Sequence, residues 1–271
     1  MESSTSSGAL ALDRQLQQYV RTVATRDRDV EHVGPFTATF DPRSTSPFLN
    51  YAFPADDARP TAADVATLIA AFRRRERLPR LEFLPGVAPA VEAALLAGGF
   101  VLEARLAVMT CAADTFVELA PPAGIDIETP VSDDDVRGMR MAQHGAFGVE
   151  EPEVDDEEVA RQRASIAAGT LAFLARDQGS GAIVGGGVAT VPAEGVTEIA
   201  GIGVLASHRR RGIAGAITSA LSRGAIDAGQ TTVWLTPGNE GAHRVYARAG
   251  FRDTSVMLHM STREDEPPPA A

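Results

Sequence analysis

Hydrophobic and polar positions alternate along the chain with two periods, one typical of helices and one typical of strands. The pattern predicts a weakly amphipathic helix over about 10–25 and a helix that follows Thr61 as its N-cap. Further helices are predicted from about Ser132 and, with acidic character, near 153–168. Between 171 and 204, three apolar alternating runs separated by turns predict an antiparallel meander. Strand–helix–strand successions follow elsewhere. The pattern therefore predicts an α/β protein with a mixed, mostly antiparallel central sheet flanked by helices.

The closing segments of the two halves share one plan. "LEFLPGVAPAVEAALLAGGFVLEARLAVMT" aligns with "VWLTPGNEGAHRVYARAGFRDTSVMLHMST" after a one-residue shift. In both, a strand, Pro-Gly, an alanine-rich helix, Gly-Phe and a long strand follow in order. This favours an internal duplication, although unrelated strand–helix–strand units also look alike.

The domain organisation follows from this plan and from the proline- and glycine-rich linker "APPAGI". We predict a smaller N-terminal α/β half-domain over 10–120 and a second domain over 121–262. The serine-rich start (1–9) and the end (263–271) are predicted to be disordered.

Composition excludes several kinds of chemistry. The 271 residues carry a formal net charge of −11, which disfavours nucleic acid as the main partner. All 25 basic residues are arginine, so no lysine can serve a P-loop, a Schiff base or a catalytic base. The single cysteine, Cys111, lies in a strand-like apolar run and excludes an internal disulfide or a cysteine-built metal site. No apolar run approaches the roughly 18 residues of a membrane span, and the start lacks a signal-peptide pattern, so we expect a cytoplasmic protein without a metal.

One short stretch, "SHRRRGIAGAI" at 207–217, carries the clearest chemistry. It joins a strand to a helix that begins at or near Gly212, where unpaired N–H groups and the helix dipole favour an anion. Small residues would let a pyrophosphate approach the backbone, and three arginines add charge. A dinucleotide-binding fingerprint fails because no helix starts within "GIGVLA". A nucleic-acid patch is disfavoured because the arginines sit in one tight turn of an acidic chain. An ordinary turn with solvated arginines remains open.

Two motifs resemble the GNAT superfamily of acetyl-coenzyme A-dependent N-acetyltransferases. The family pattern R/Q-x-x-G-x-G/A is matched by Arg209, Gly212 and Ala214. The pattern Asn-x-x-Ala-x-x-Leu-Tyr followed by Gly-Phe is matched with valine in place of leucine, by Asn239, Ala242, Val245, Tyr246, Gly250 and Phe251. The resemblance covers roughly 125–262. The N-terminal half resembles the degenerate copy of tandem GNAT proteins, although it retains no cofactor signature of its own.

The resemblance implies acetyl-CoA as co-substrate and assigns roles by position. The fourth and fifth strands of the fold splay apart and hold the pantetheine arm, with a backbone N–H, that of Val204, polarising the acetyl carbonyl. The residues implied to bind coenzyme A are Ile202, Val204, Arg209, Arg210, Arg211, Gly212, Ile213, Ala214, Gly215 and Asn239.

Proton transfer and acceptor binding are assigned in the same way. Tyr246 is expected to protonate the departing thiolate, against the alternative of a helix tyrosine that packs the core. Glu198 is a candidate base, with a solvent-facing strand glutamate as the alternative. His144 and Phe147 lie where the first helices line the acceptor site, and a packed histidine is the alternative reading.

The resemblance thus predicts transfer of an acetyl group to a primary amine of a small molecule or peptide by direct attack. A catalytically silent acyl-CoA-binding sensor or interaction protein is the alternative from another class. We expect a monomer or homodimer with no nucleic-acid or membrane partner.

Overall fold

The computed structural model describes residues 2–263, with side chains from residue 7 onward. It contains two compact units, one formed by residues up to Val108 together with those from Thr254, and one formed by Met109–Asp253. The division differs from the simple boundary expected at 120/121. The predicted disorder at 264–271 lies outside the described residues.

The first unit begins with the long helix α1 (Glu2–Ala24), which starts well before the expected position near Leu10. Strands β1 (Asp29–Val33), β2 (Phe36–Phe40) and β3 (Tyr51–Pro54) follow. Helix α2 (Ala62–Arg74) leads to β4 (Arg80–Phe83), and the short helix α3 (Val91–Ala97) leads to β5 (Phe100–Cys111).

Helix α2 forms because its sequence supplies both a start signal and an apolar face. Thr61 accepts a hydrogen bond from the Asp64 backbone N–H, and the Asp64 carboxylate accepts from the Thr61 backbone N–H, which is a capping box. Val65, Leu68 and Phe72 lie at helical spacing and are all buried. This face packs into the core of the first unit.

The last strand, β11 (Arg252–Thr262), completes the sheet of the first unit. It pairs antiparallel with β4, so that Leu258 faces Phe83 and Ser261 faces Arg80. The strand order in this unit is β1-β2-β3-β4-β11-β5. A C-terminal strand that pairs with β4 is the reason why the unit boundary departs from the sequence order.

The second unit contains the predicted meander. Strand β6 (Ile125–Glu128) precedes helices α4 (Asp133–Ala146) and α5 (Asp156–Ala167). Strands β7 (Leu171–Asp177), β8 (Ile183–Ala189) and β9 (Val196–Val204) pair antiparallel in succession. Helix α6 (Ile213–Asp227), β10 (Thr232–Leu235) and α7 (Glu240–Arg248) follow.

The sheet of the second unit runs in the order β6-β7-β8-β9-β10, and Met109–Cys111 at the end of β5 pairs antiparallel with β10. Only β9 and β10 pair in parallel. Helix α6 buries Ile213, Ile217 and Leu221 in the core of this unit. The mixed sheet flanked by helices confirms the predicted fold class.

Candidate functional site

The turn between β9 and α6 places unusual backbone at the start of a helix. After β9 ends at Val204, a short 3-10 turn covers Ala206–His208. Arg210 has a φ of 62° and Gly212, the N-cap residue of α6, has a φ of 95°. A Cβ at Gly212 would meet no atom within 4 Å, so its conformation, and not crowding, calls for glycine there.

The N-terminus of α6 has no side-chain cap, unlike those of α2, α4, α5 and α7. Those four helices are capped by the side chains of Thr61, Ser132, Asp155 and Asn239, whereas Gly212 has no side chain to offer. The first N–H groups of α6 therefore remain available, at the positive end of the helix dipole. This arrangement favours an anion, as the sequence predicted.

A cleft of about 710 Å³ lies directly over this helix start. Its wall consists of the turn and first helical turn, residues 208–215, together with Val204, Val245 and Arg248 and the segment 118–120. Within the described part of the chain, neither Arg210 nor Arg248 forms an ion pair. The cleft thus combines uncapped helix N–H groups with unneutralised positive charge. For an anion of more than one phosphate, both features are favourable.

Arg209, the arginine of the motif, is bonded to backbone carbonyls. Its Nε donates to the Val204 carbonyl oxygen at 3.1 Å, and its Nη2 donates to the Ala146 carbonyl oxygen at 2.8 Å. The guanidinium therefore ties the turn to the end of β9 and to the end of α4. Arg211 lies 3.9 Å from the Asp177 carboxylate, at the rim of the same turn.

The predicted splay between β9 and β10 would begin where their pairing ends. Pairing is limited to Val196–Glu198 of β9 and Thr232–Trp234 of β10. Residues 199–204 of β9 continue without a register partner on β10. The open edge of β9 leads from this splay to the uncapped start of α6, because Val204 lines the cleft.

Two residues of the second motif have predicted roles, and they lie at the start and near the end of helix α7. Asn239 is its N-cap, and the side-chain Oδ1 accepts a hydrogen bond from the Ala242 N–H at 2.9 Å. Tyr246 packs against the core of the second unit, with its ring centroid 6.3 Å from that of Phe251. Desolvation raises the pKa of the Tyr246 phenol to about 12, so the hydroxyl keeps its proton near neutral pH.

The candidate base lies on β9, and the two candidate acceptor contacts lie on α4 and at its end. Glu198 is half-buried on β9, at the last residue that pairs with β10. His144 lies on α4 with its Nε2 3.2 Å from both an Arg140 nitrogen and the Glu158 carboxylate, so its ring belongs to an ionic cluster. Phe147, at the end of α4, is 66% exposed.

Two residues of this region escaped the sequence analysis. Arg248 lines the cleft from α7, and its only sequence signal is its position two residues after Tyr246. Gln143 is buried on α4 and donates to the backbone of β9, although a helical glutamine is typical of a solvent-facing position.

The described residues offer neither a reactive cysteine nor a metal-binding cluster. Cys111 is buried, and desolvation raises the pKa of its thiol, which makes it a poor nucleophile. Among residues 2–263, no group of three or more His, Cys, Asp or Glu side chains is arranged to hold a metal ion. No helix in that same range has the length and apolar character needed to cross a membrane.

Comparison with solved structures supports the fold assignment. The chain superimposes on a GCN5-related N-acetyltransferase from Kribbella flavida with a TM-score of 0.75 at 24% identity, covering 92% of this chain and 95% of that one. A GCN5-related N-acetyltransferase from Sphaerobacter thermophilus gives 0.67 at 18% identity, covering 98% and 95%. A tandem GNAT protein from the clavulanic acid biosynthesis pathway gives 0.61 at 15% identity, covering 86% and 79%.

Comparison with curated protein sequences gives no match. The model of the acetyltransferase (GNAT) family matches residues 136–251, which include both motifs and lie within the second unit. The resemblance that these motifs carried is therefore confirmed, and residues 136–251 form a domain of the acetyltransferase (GNAT) family.

Proposed function

We propose that this protein transfers the acetyl group of acetyl-CoA to a primary amine by direct attack. One observation carries the proposal: the uncapped start of α6 opens into an arginine-lined cleft that reaches Val204, at the end of the unpaired edge of β9. A ligand with a phosphate-bearing end and an extended arm would fit this site, with the phosphates at the start of α6 and the arm along the edge of β9.

Coenzyme A would occupy the cleft from the helix outward. The pyrophosphate accepts hydrogen bonds from backbone N–H groups of residues 210–215, next to the Arg210 and Arg248 side chains. The pantetheine arm runs along the edge of β9 at Ile202 and Val204. Asn239 contacts this arm through its Nδ2, since its Oδ1 accepts from the helix.

The reaction needs no enzyme nucleophile. The amine nitrogen attacks the thioester carbonyl carbon, the new C–N bond forms, and the C–S bond breaks. The Val204 N–H stabilises the negative charge that develops on the carbonyl oxygen. Tyr246 protonates the departing sulfur, and Glu198 accepts the proton of the amine directly or through a water.

The amine acceptor would approach from α4 and the segment that follows it. Phe147 offers an exposed aromatic surface there. His144 contributes through the cluster with Arg140 and Glu158.

The role of the α6 N-terminus in binding coenzyme A is tested by placing a negative charge at its N-cap residue, Gly212. We expect Gly212→Glu to weaken coenzyme A binding by about 100-fold or more, because a carboxylate there repels the pyrophosphate. Gly229→Glu is the matched control, since Gly229 follows the other end of α6, has a φ of 87° and also has open space at its Cβ position. Isothermal titration calorimetry with coenzyme A measures both.

Turnover is tested separately by the release of free coenzyme A from acetyl-CoA in the presence of a panel of primary amines. Equal binding of coenzyme A by the Gly212→Glu and Gly229→Glu variants would refute a pyrophosphate site at the start of α6. Tight binding of acetyl-CoA with no turnover over a broad panel would refute the enzyme and favour the silent acyl-CoA-binding alternative.

A further inference from the structure

Strand β9 contains one residue more than a regular strand would need. The Glu198 carbonyl oxygen accepts a hydrogen bond from the Thr190 N–H, and the Leu205 N–H donates to the Val184 carbonyl oxygen. Glu198 and Leu205 therefore both direct backbone groups toward β8. They are an odd number of positions apart, and a regular strand would turn them to opposite edges. The register with β8 shifts near Gly201, whose φ is 64°. The extra residue of this β-bulge is what lets the backbone groups of both Glu198 and Leu205 face β8.

This bulge decides which N–H groups face the splay. Because Leu205 faces β8, alternation turns the N–H groups of Val204 and Ile202 to the opposite edge, where β10 no longer pairs. Without the extra residue, the N–H groups of Ile202 and Val204 would point toward β8, and those of the residues between and after them would face the other edge. The geometry that the proposed reaction requires therefore depends on the bulge.

Gln143 holds the bulge from the face covered by α4. Its Nε2 donates to the Gly201 carbonyl oxygen at 2.7 Å, and the side chain is 2% exposed. A Cβ at Gly201 would lie 2.8 Å from this Nε2, and one at Gly203 would lie 3.1 Å from the Gln143 Cα. The two glycines thus allow α4 to approach closely enough for the contact.

The orientation of the Gln143 amide is fixed by its other partner. Arg140 Nη1 donates to Gln143 Oε1 at 3.0 Å, which leaves the amide nitrogen to face Gly201. Arg140 is held in turn by Glu158 on α5, through a 2.7 Å contact to its Nε. A charged donor on one side of the amide and a carbonyl on the other permit only one orientation of the amide.

We propose that Gln143 is a positioning residue for the acetyl-transfer reaction, oriented by Arg140 and Glu158, which holds the Gly201 bulge so that the Ile202 and Val204 N–H groups face the bound thioester. This role rests on the proposed function. Gln143 touches neither ligand nor reacting atoms, and acts through the backbone of β9.

The test compares three methionine variants in the full-length chain. Gln143→Met keeps the volume but removes the donor, and we expect kcat to fall about 10- to 100-fold while KM for acetyl-CoA changes less than about threefold. Arg140→Met leaves Gln143 in place with its amide free to turn, and we expect a smaller loss, of about 3- to 10-fold. Arg137→Met is the matched control, because Arg137 also joins α4 to the α5 region, through Val154 and Asp156, but does not contact Gln143.

A second readout does not depend on activity. Amide hydrogen exchange of Ile202 and Val204, followed by NMR in the free protein, should be faster by about tenfold in Gln143→Met and unchanged in Arg137→Met. If the parent chain turns over no amine, the proposed function fails, and this exchange comparison alone decides whether Gln143 holds the bulge.

Three results would overturn the inference: an unchanged kcat with unchanged exchange in Gln143→Met, a rise in KM without a fall in kcat, or an equal loss in Arg137→Met. If Gln143→Met does not fold, amide exchange of Ile202 and Val204 in Arg140→Met decides, with the same control: exchange no faster than in Arg137→Met overturns the inference.

Discussion

The two units each contain a turn that leads from a strand into a helix, and the two turns have opposite electrostatic characters. In the first unit, the segment between β3 and α2 ends in Thr61, whose capping box satisfies the N–H groups of α2 with side-chain oxygens. In the second unit, the segment between β9 and α6 ends in Gly212, which caps nothing. A helix that caps itself offers little to a ligand, whereas an uncapped one offers its N–H groups.

The charges of the two turns differ in the same sense. Asp56 and Asp57 follow β3, and they pair with Arg14 and Arg21 of α1. Three arginines occupy the turn after β9. The first turn is acidic, and its carboxylates are neutralised by arginines of the same unit. It therefore lacks both the free helix N–H groups and the positive charge that favour a phosphate.

The helices that precede the two Gly-Phe pairs extend the comparison. Counted back from Phe100 and Phe251, Leu95 of α3 corresponds to Tyr246 of α7, and Ala97 corresponds to Arg248. Leu95 is fully buried. The first unit thus has an apolar packing residue where the second has a hydroxyl.

The largest effect is expected from making the second unit like the first at this position. We expect Tyr246→Phe to lower kcat by about 10²- to 10⁴-fold, because it removes the proton donor and leaves the ring in place. The Tyr246 pKa of about 12 keeps the hydroxyl protonated, so the ratio of parent to variant kcat should be constant from about pH 6 to 9. Steady-state kinetics measure this ratio, and coenzyme A affinity is the control. A variant that retains the kcat of the parent would exclude Tyr246 as the acid.

An intermediate effect is expected from reversing the charges of the two turns. Arg210→Glu with Arg211→Glu should weaken coenzyme A binding by about 100-fold, since the carboxylates repel the phosphates. Asp56→Arg with Asp57→Arg should leave the affinity and the stoichiometry unchanged, because Thr61 and Asp64 still cap α2. Calorimetric titration measures both. A second equivalent of coenzyme A bound by the Asp56/Asp57 variant would mean that charge alone, and not the cap, separates the two turns.

The smallest effect is expected from the cap itself. Thr61→Ala removes the side-chain acceptor of α2 and should lower the free energy of unfolding by about 1 kcal/mol, without changing coenzyme A affinity. Urea denaturation followed by circular dichroism measures the loss. Thr67→Ala is the control, because Thr67 lies in the middle of the same helix and bonds only to the Ala63 carbonyl. An equal loss of unfolding free energy in both variants would show that the cap contributes no more to stability than a threonine in the middle of the helix.

Periodicity and turn chemistry were sufficient to predict most of the fold. The meander and the start of α6 lie where the apolar alternation and Gly212 placed them. The sequence pattern does not predict strand β1, because Asp29–Val33 contains only two valines among charged and polar residues. It forms as one arm of a hairpin that turns at Gly34, with a φ of 54°.

The candidate site was predictable in its backbone and less so in its side chains. Glycine spacing marks the helix start because only glycine relieves strain at that conformation. The partners of Arg209 and Gln143 could not be predicted, since both bond to backbone carbonyls of elements distant in sequence. No local pattern encodes such contacts.

The pairing of β11 with β4 has a consequence for biosynthesis. Residues 109–253 form a contiguous unit, whereas the first unit needs a strand, β11, that is translated after that unit. Until that strand leaves the ribosome, β4 lacks its neighbour and presents an unpaired edge to other chains. The N-terminal half, although made first, is therefore expected to reach its native state only after the whole second unit and β11 have been translated.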